Sequence, residues 1–260
     1  MKYPFYRLDE VVGVVSGSTP STTRKEYYGG NILWATPKDL SSLDDIYIAD
    51  TDKKITEEGY KSCSTALLPA GAVLFSSRAP IGLIAIAKHE ICTNQGFKNF
   101  VCDKDKLFPE YLYYCLRFYR PMIQGLGRGA TFTEISKELI SSFKIPVPPL
   151  EKQNEIANLL IKTERLIKKR RQTLRLADEF LKFAFLEMFG DPISNTKKLP
   201  LKKILDFCET TSGGTPNRAK EEYFNGDIPW IKSGELKNGF VTKTEEKLTE
   251  LGLKSSSAKR

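Results

Sequence analysis

Ser16-Gly17-Ser18-Thr19-Pro20 returns 196 residues later as Ser212-Gly213-Gly214-Thr215-Pro216, and this recurrence decides how the chain is read. At the same offset Glu26-Tyr27-Tyr28 becomes Glu222-Tyr223-Phe224. Gly30-Asn31-Ile32-Leu33-Trp34 likewise becomes Gly226-Asp227-Ile228-Pro229-Trp230. Ten of the 25 positions from Ser16 to Leu40 are identical, and the chain's two tryptophans fall on equivalent sites. A repeat of this length at one fixed offset means two copies of a domain, not a solenoid of short units. After a three-residue shortening, Gly59-Tyr60-Lys61-Ser62-Cys63-Ser64 aligns with Gly252-Leu253-Lys254-Ser255-Ser256-Ser257. The first copy is expected over residues 1–149. The second opens near Leu199 and reaches Arg260 where the first has only reached Leu67. An incomplete, C-terminally truncated domain is therefore expected over 191–260, marginal in stability by itself.

The copies are joined by one long element. Pro146-Val147-Pro148-Pro149 interrupts regular structure, because proline lacks a donor and disfavours helix at the residue before it. From Leu150 to Phe189 there is neither Pro nor Gly, and Leu160, Ile167, Leu174, Leu181 and Met188 recur every seven residues. Ile156, Thr163, Arg170, Ala177 and Ala184 form a second series four places ahead. The pattern predicts a coiled-coil-like spacer helix over 150–190, about 40 residues and roughly 60 Å long, ended by Gly190-Asp191-Pro192. Leu159, Leu166, Phe180, Phe183 and Phe185 widen its apolar stripe. A single helix cannot bury such a stripe against itself, so Ile156, Leu160, Ile167, Leu174, Leu181 and Met188 are expected to meet a partner helix or subunit.

Within the first copy, Ala72-Val73-Leu74-Phe75 and Ile81 to Ala87 read as short strands bounded by Gly, Pro or Ser, and Glu110 to Leu116 reads as helix after Pro109. The fold class expected is α+β with a small mixed sheet. With 40% hydrophobic and 28% charged residues, the 260-residue chain has the composition of an ordinary soluble protein. It has no run near the roughly 18 apolar residues of a membrane span, and the start lacks a signal-like stretch. Its five cysteines form no CxxC pair, so a reducing, cytoplasmic setting without metal cluster or disulfide is expected. Forty basic against 32 acidic residues leave a net charge of +8, which suits a polyanion such as DNA.

Five segments in order carry a family resemblance. They are Ser16-Gly17-Ser18-Thr19-Pro20, Gly30 to Trp34, Ser77-Arg78-Ala79-Pro80-Ile81-Gly82, Thr93-Asn94-Gln95-Gly96-Phe97-Lys98, and Ile145-Pro146-Val147-Pro148-Pro149-Leu150-Glu151-Lys152-Gln153-Asn154-Glu155-Ile156-Ala157. Followed by a long helix and a repeat, they resemble the specificity subunit of type I restriction–modification systems, essentially end to end. The resemblance implies two target-recognition domains, each reading half of a bipartite DNA site, held apart by long helices that dock methyltransferase subunits. It implies a motor-nuclease subunit as a further partner. The chain itself is expected to be non-catalytic and without a cofactor; S-adenosylmethionine, ATP and Mg would belong to partner subunits.

No catalytic constellation competes with that reading. The single histidine, His89, follows a hydrophobic strand and fits a strand-end role. Gly125-Leu126-Gly127-Arg128-Gly129 lacks the spacing and preceding strand of a nucleotide loop. No Asn/Asp-Pro-Pro-Tyr/Phe motif occurs, and Glu245-Glu246-Lys247 is an ordinary charged run. DNA binding asks for hydroxyls, cations and free amides near phosphates. The candidates are Ser18, Thr22, Arg24 and Lys25 in the Ser16–Lys25 loop, with Lys38, Arg78, Lys98 and Arg128 elsewhere. The Thr19-Pro20 turn, shared between copies, reads more as scaffold than as base reader, and Arg78 suits an ion pair as well as DNA. Lys168-Lys169-Arg170-Arg171 points in four directions on a helix and reads as a solvated face. A chain with one whole copy and one long helix also allows a homodimer through that helix. A helix-mediated assembly protein that binds methyltransferase subunits, or itself, without specific DNA recognition is the competing class.

Overall fold

The computed structural model describes residues 3–126 and 134–259. The chain divides into two compact units, residues 1–177 and 178–260.

In chain order the first unit contains β1 (Phe5–Arg7), β2 (Val12–Ser16), β3 (Tyr28–Ala35), α1 (Pro37–Ser41), β4 (Tyr47–Ile48), β5 (Lys54–Ile55), α2 (Glu57–Lys61), β6 (Val73–Phe75), β7 (Ile84–Ala87), β8 (Cys92–Thr93) and β9 (Lys98–Cys102). It continues with α3 (Pro109–Leu126), α4 (Lys137–Ser141), β10 (Lys144–Pro146) and the start of α5 (Leu150–Phe189). The expected strand at 72–75 and the helix after Pro109 are present, whereas the expected strand at 81–87 is extended only over Ile84–Ala87, because Ile81 and Gly82 form the turn that leads into it. The long helix spans Leu150–Phe189 without a break.

The architecture is α+β. One sheet has the order β2-β9-β6-β7-β4, with β4 parallel to β7 and the other pairs antiparallel, which makes it mixed. A smaller sheet has the order β5-β3-β8. β6 is flanked on both sides and buried on both faces, which explains its unbroken apolar run. Successive side chains alternate between faces. Val73 and Phe75 enter a core with Phe100, Leu112 and Leu116. Leu74 enters a second core with Ala85, Phe97 and Leu40. Pro109 begins α3, where its missing donor costs nothing, and Tyr111, Leu112, Cys115, Leu116 and Ile123 are its buried stripe.

The first turns of α5 are fixed to this unit by a buried glutamine. Gln153 is fully buried; its Nε2 donates to the carbonyls of Lys106 and Pro148, both at 2.8 Å, and its Oε1 accepts from Phe108 N at 2.9 Å. Ala157 is buried beside it, and Ile156 and Ile161 pack on the α3 core. One turn further, Glu164 accepts from the Tyr114 hydroxyl at 3.0 Å and pairs with Arg117. Lys168 pairs with Asp44 at 2.8 Å. Leu166, and beyond these ties Leu174, Phe180, Leu181, Phe183 and Met188, are large apolar side chains that are exposed. Gly190, at φ +76°, ends the helix in the left-handed conformation that favours glycine.

The second unit contains β11 (Phe224–Trp230), β12 (Glu246–Leu248) and α6 (Glu250–Lys254), and it rebuilds the β3–β5–α2 motif. In the first unit Tyr28 and Ile32 both oppose Ile55 across a bulge; in the second Phe224 and Ile228 both oppose Leu248. The glycine in each bulge has a packing reason. A Cβ on Gly30 would lie 2.5 Å from the Ile55 carbonyl oxygen, and one on Gly226 would lie 2.3 Å from that of Leu248. Thr56 donates to the Glu26 carbonyl at 3.0 Å and accepts from Gly59 N at 3.1 Å. Thr249 repeats this with Glu222 at 2.8 Å and Gly252 N at 3.1 Å. The indole of Trp34 donates to the Ser18 carbonyl at 3.1 Å, and that of Trp230 to the Gly214 carbonyl at 3.0 Å. The residues identical between copies are largely those that close this motif.

Candidate nucleic-acid interface

Three of the sequence motifs meet in one loop cluster. The Ser16–Pro20 turn leaves the end of β2, which pairs with the start of β9 at Ser16 and Lys98. Gly17 N donates to the Phe97 carbonyl at 3.3 Å, and Ser18 N to the Thr93 carbonyl at 3.0 Å. The hydroxyl of Thr19 bonds the side-chain oxygen of Gln95. A Cβ on Gly17 would stand 2.0 Å from the Asn94 carbonyl oxygen, so the backbones touch there and only glycine fits. Asn99, fully buried, donates to the Thr93 hydroxyl at 2.7 Å and the Val15 carbonyl at 3.2 Å.

The Ser77–Gly82 segment joins from the other side. Ser77 N donates to the Gly96 carbonyl at 2.8 Å, and Ile135 N to the Ser77 carbonyl at 2.9 Å. This brings Glu134 between two cations. Arg78 Nε donates to one carboxylate oxygen at 2.8 Å, and Lys98 Nζ approaches the other at 3.5 Å.

The candidate cations therefore differ in character. Lys98 is only 8% exposed and is paired, so it acts inside the fold. Arg78 keeps about half of its side chain, 48%, in solvent while its Nε is held by Glu134. Arg24, Lys25 and Thr22 lie exposed on the continuation of the Ser16–Pro20 turn. The Arg24 guanidinium sits 5.7 Å from the Tyr27 ring centroid and 3.7 Å from Glu26. Ser18 is half-buried, its amide and carbonyl both used by the fold. Lys38 stands apart at the start of α1, paired with Asp52 at 2.8 Å, and that hydrogen bond raises its pKa. Arg128 lies outside the described residues. Glu134, which organises Arg78 and Lys98, carried no signal in the sequence: it is a lone carboxylate 36 residues from one partner and 56 from the other.

A second feature of the first unit is a groove of about 770 Å³ between α3, the Leu43–Tyr47 segment and α5. Arg117, Arg165, Lys168, Arg171 and Arg175 line it, against Asp44, Asp45 and Glu164. The basic run at 168–171 thus divides. Lys168 and Arg171 line this groove, with the Asp44 carboxyl held below its ordinary value by the Lys168 hydrogen bond. Lys169 and Arg170 are exposed elsewhere on the helix. Among the described residues no group of three or more His, Cys, Asp or Glu side chains is placed to hold a metal, and no helix is long and apolar enough to cross a membrane.

The family model described as type I restriction modification DNA specificity domain matches residues 2–176. The chain is 33% identical over 265 residues to the type I restriction enzyme MjaIX specificity subunit of Methanocaldococcus jannaschii, covering 95% of this chain and 61% of that one. It is 28% identical over 166 residues to the EcoR124I/EcoR124II specificity subunit of Escherichia coli, covering 61% of this chain and 40% of that one. The chain therefore spans about six-tenths or less of the length of these relatives. The fold is shared with the HsdS subunit from Thermoanaerobacter tengcongensis at a TM-score of 0.51 and 24% identity, over 66% of this chain and 39% of that one. A chain from a structure of the type I R-M system, solved for complex assembly and conformational transition, matches at 0.56 and 24%, over 70% of this chain and 43% of that one.

Proposed function

The chain belongs to the type I restriction modification DNA specificity family, and from that membership we propose that its first unit reads one half of a bipartite DNA site. In this reading the chain is a non-catalytic recognition and scaffold subunit. It acts in the cytoplasm beside methyltransferase subunits and a motor-nuclease subunit, which carry S-adenosylmethionine, ATP and Mg. The domain division the reading uses is a recognition domain over 1–149, a spacer helix over 150–190 and a second recognition module over 191–260.

The observation that carries the reading is the loop cluster itself. Backbone contacts among the 16–20, 77–82 and 93–98 segments hold a rigid base, from which Thr22, Arg24, Lys25 and Arg78 project into solvent. A rigid frame with exposed hydroxyl and cationic tips supplies what phosphate contacts require, and arginines on such a frame can also pair bidentately with guanine. The test is selection from a pool of random duplexes by the chain with its methyltransferase subunit. A defined short half-site is the expected enrichment. Recovery of random sequence overturns the reading.

The exposed apolar side chains of α5 support a second role, as an assembly element. Their occupant is a methyltransferase subunit or the helix of a second copy. Light scattering at micromolar concentration separates these: a dimer of the isolated chain supports pairing through the helix, and a strict monomer assigns the stripe to a different subunit.

A further inference from the structure

The turn from Ser76 to Leu83 in the first unit brings two arginines together, one of its own and one from α3. It is braced from within: Ser76 Oγ donates to the Pro80 carbonyl at 2.6 Å and accepts from Leu83 N at 2.8 Å, and Gly82 N donates to the Ser76 carbonyl at 2.9 Å. Helix α3 braces it from behind. Gln124 Nε2 donates to the Ile81 carbonyl at 2.8 Å, and Arg120, one helical turn earlier on the same face, lies across Gly82. A Cβ on Gly82 would stand 2.8 Å from Arg120 Cγ and 3.0 Å from its Nε, and the φ of +88° there also favours glycine. Glycine at 82 thus lets the arginine lie directly on the turn.

Charge around this turn is not balanced. Arg78 Nε is held by Glu134 at 2.8 Å, but Glu134 is shared with Lys98, 3.5 Å from its other oxygen. Glu138, at the start of α4, also acts on Lys98, while its own amide and Ser136 hold it. Arg120 is half-buried and makes no ion pair or hydrogen bond among the described residues. Three cations therefore face two carboxylates. With its Nε engaged and its side chain 48% exposed, Arg78 keeps its terminal nitrogens for another acceptor.

We infer that Arg78 and Arg120 together form a clamp for the backbone phosphates of duplex DNA, one that is blind to base sequence. The ligand chemistry follows from the donors, because guanidinium forks on a fixed base pair bidentately with phosphate oxygens. A clamp on a braced turn sets the register of the duplex on the unit and leaves base discrimination to side chains elsewhere. The inference rests on the proposal that the first unit reads DNA, and it assigns a residue, Arg120, that no motif in the sequence marked.

The test follows the anisotropy of two labelled duplexes of equal length, one with the selected half-site and one unrelated, titrated with the chain and its methyltransferase subunit over a salt series. Arg120→Gln keeps part of the stem on Gly82 and removes the charge. It is expected to lower the salt slope by about one and to weaken both duplexes by the same factor. Arg78→Gln is expected to do the same, and Arg120→Lys to keep the parent slope. Lys106→Gln removes an exposed cation beyond the far end of β9 and is expected to change nothing. The variants are expected to melt with the parent chain. A parent slope in either glutamine variant at 78 or 120 overturns the clamp and leaves the DNA reading standing. Weakening confined to the half-site duplex overturns it too, since Arg120 would then read bases. An equal drop in Lys106→Gln would mark a general charge effect and overturn it likewise. Binding by the parent chain that ignores salt overturns the DNA reading and the clamp with it.

Discussion

Lys98 and Arg24 are the same kind of candidate in the sequence and opposite kinds of residue in the fold. Lys98 is buried against Glu134, so truncating it leaves a carboxylate short of a partner. Lys98→Ala is expected to cost roughly 2 kcal/mol in urea unfolding. Arg24→Ala and Lys25→Ala remove exposed cations and should leave stability within about 0.5 kcal/mol. Each should reduce the salt slope of DNA binding by about one. Equal destabilisation by all three would contradict this separation. The sequence does not distinguish these lysines and arginines, because the deciding partner is non-local. Glu134 is brought to Lys98 by the Ser77–Gly96 and Ser77–Ile135 backbone bonds and its bridge to Arg78. One glycine pair is more legible: Gly30 recurs as Gly226, and at both positions the backbone of the neighbouring strand lies too close for a Cβ.

At the scale of elements, α5 is the feature most fully readable in advance. Forty residues without Pro or Gly, carrying a heptad pattern, leave few alternatives. What the pattern conceals is its uneven use. Ile156 packs on the first unit's core, whereas Leu174, Leu181 and Met188 are exposed. The anchor is the polar Gln153, which a reading of apolar periodicity passes over. Gln153→Ala strands Phe108 N and the carbonyls of Lys106 and Pro148, and is expected to destabilise the first unit by about 3 kcal/mol in urea unfolding. Leu174→Glu with Leu181→Glu changes only exposed positions. It should leave folding intact and abolish co-purification with the methyltransferase subunit, and retained co-purification would remove the helix from that role. The strand pairings were less legible, since two-residue strands such as β4, β5 and β8 are too short for alternation to show.

For the whole molecule, cysteine chemistry offers a global check on the packing. Burial pushes the Cys92 and Cys115 thiols up to about 11 and that of Cys102 up to about 12. A raised thiol pKa keeps the neutral form, so at pH 8 the thiolate fraction at these sites is on the order of one in a thousand or less. Cys208 is exposed. Alkylation of the native protein at pH 8, read by mass spectrometry, should therefore modify Cys208 well before Cys92, Cys102 and Cys115. Those three should react on unfolding, and prompt labelling of all of them in the native state would contradict the buried cores.

The repeat and the five ordered motifs carry the family resemblance in the residues alone, while the division into units falls inside the long helix, between Ala177 and Asp178. No composition signal locates such a boundary, because a helix continues through it. The central claim is that the first unit is a DNA reader built on the 16–25, 77–82 and 93–98 loops. Its most direct test is fluorescence anisotropy of a labelled duplex titrated with the chain and its methyltransferase subunit across a salt series. The account predicts binding whose logarithm falls linearly with the logarithm of salt, and a shallower slope for Arg24→Ala with Lys25→Ala. Binding that is absent, or indifferent to salt, would contradict it.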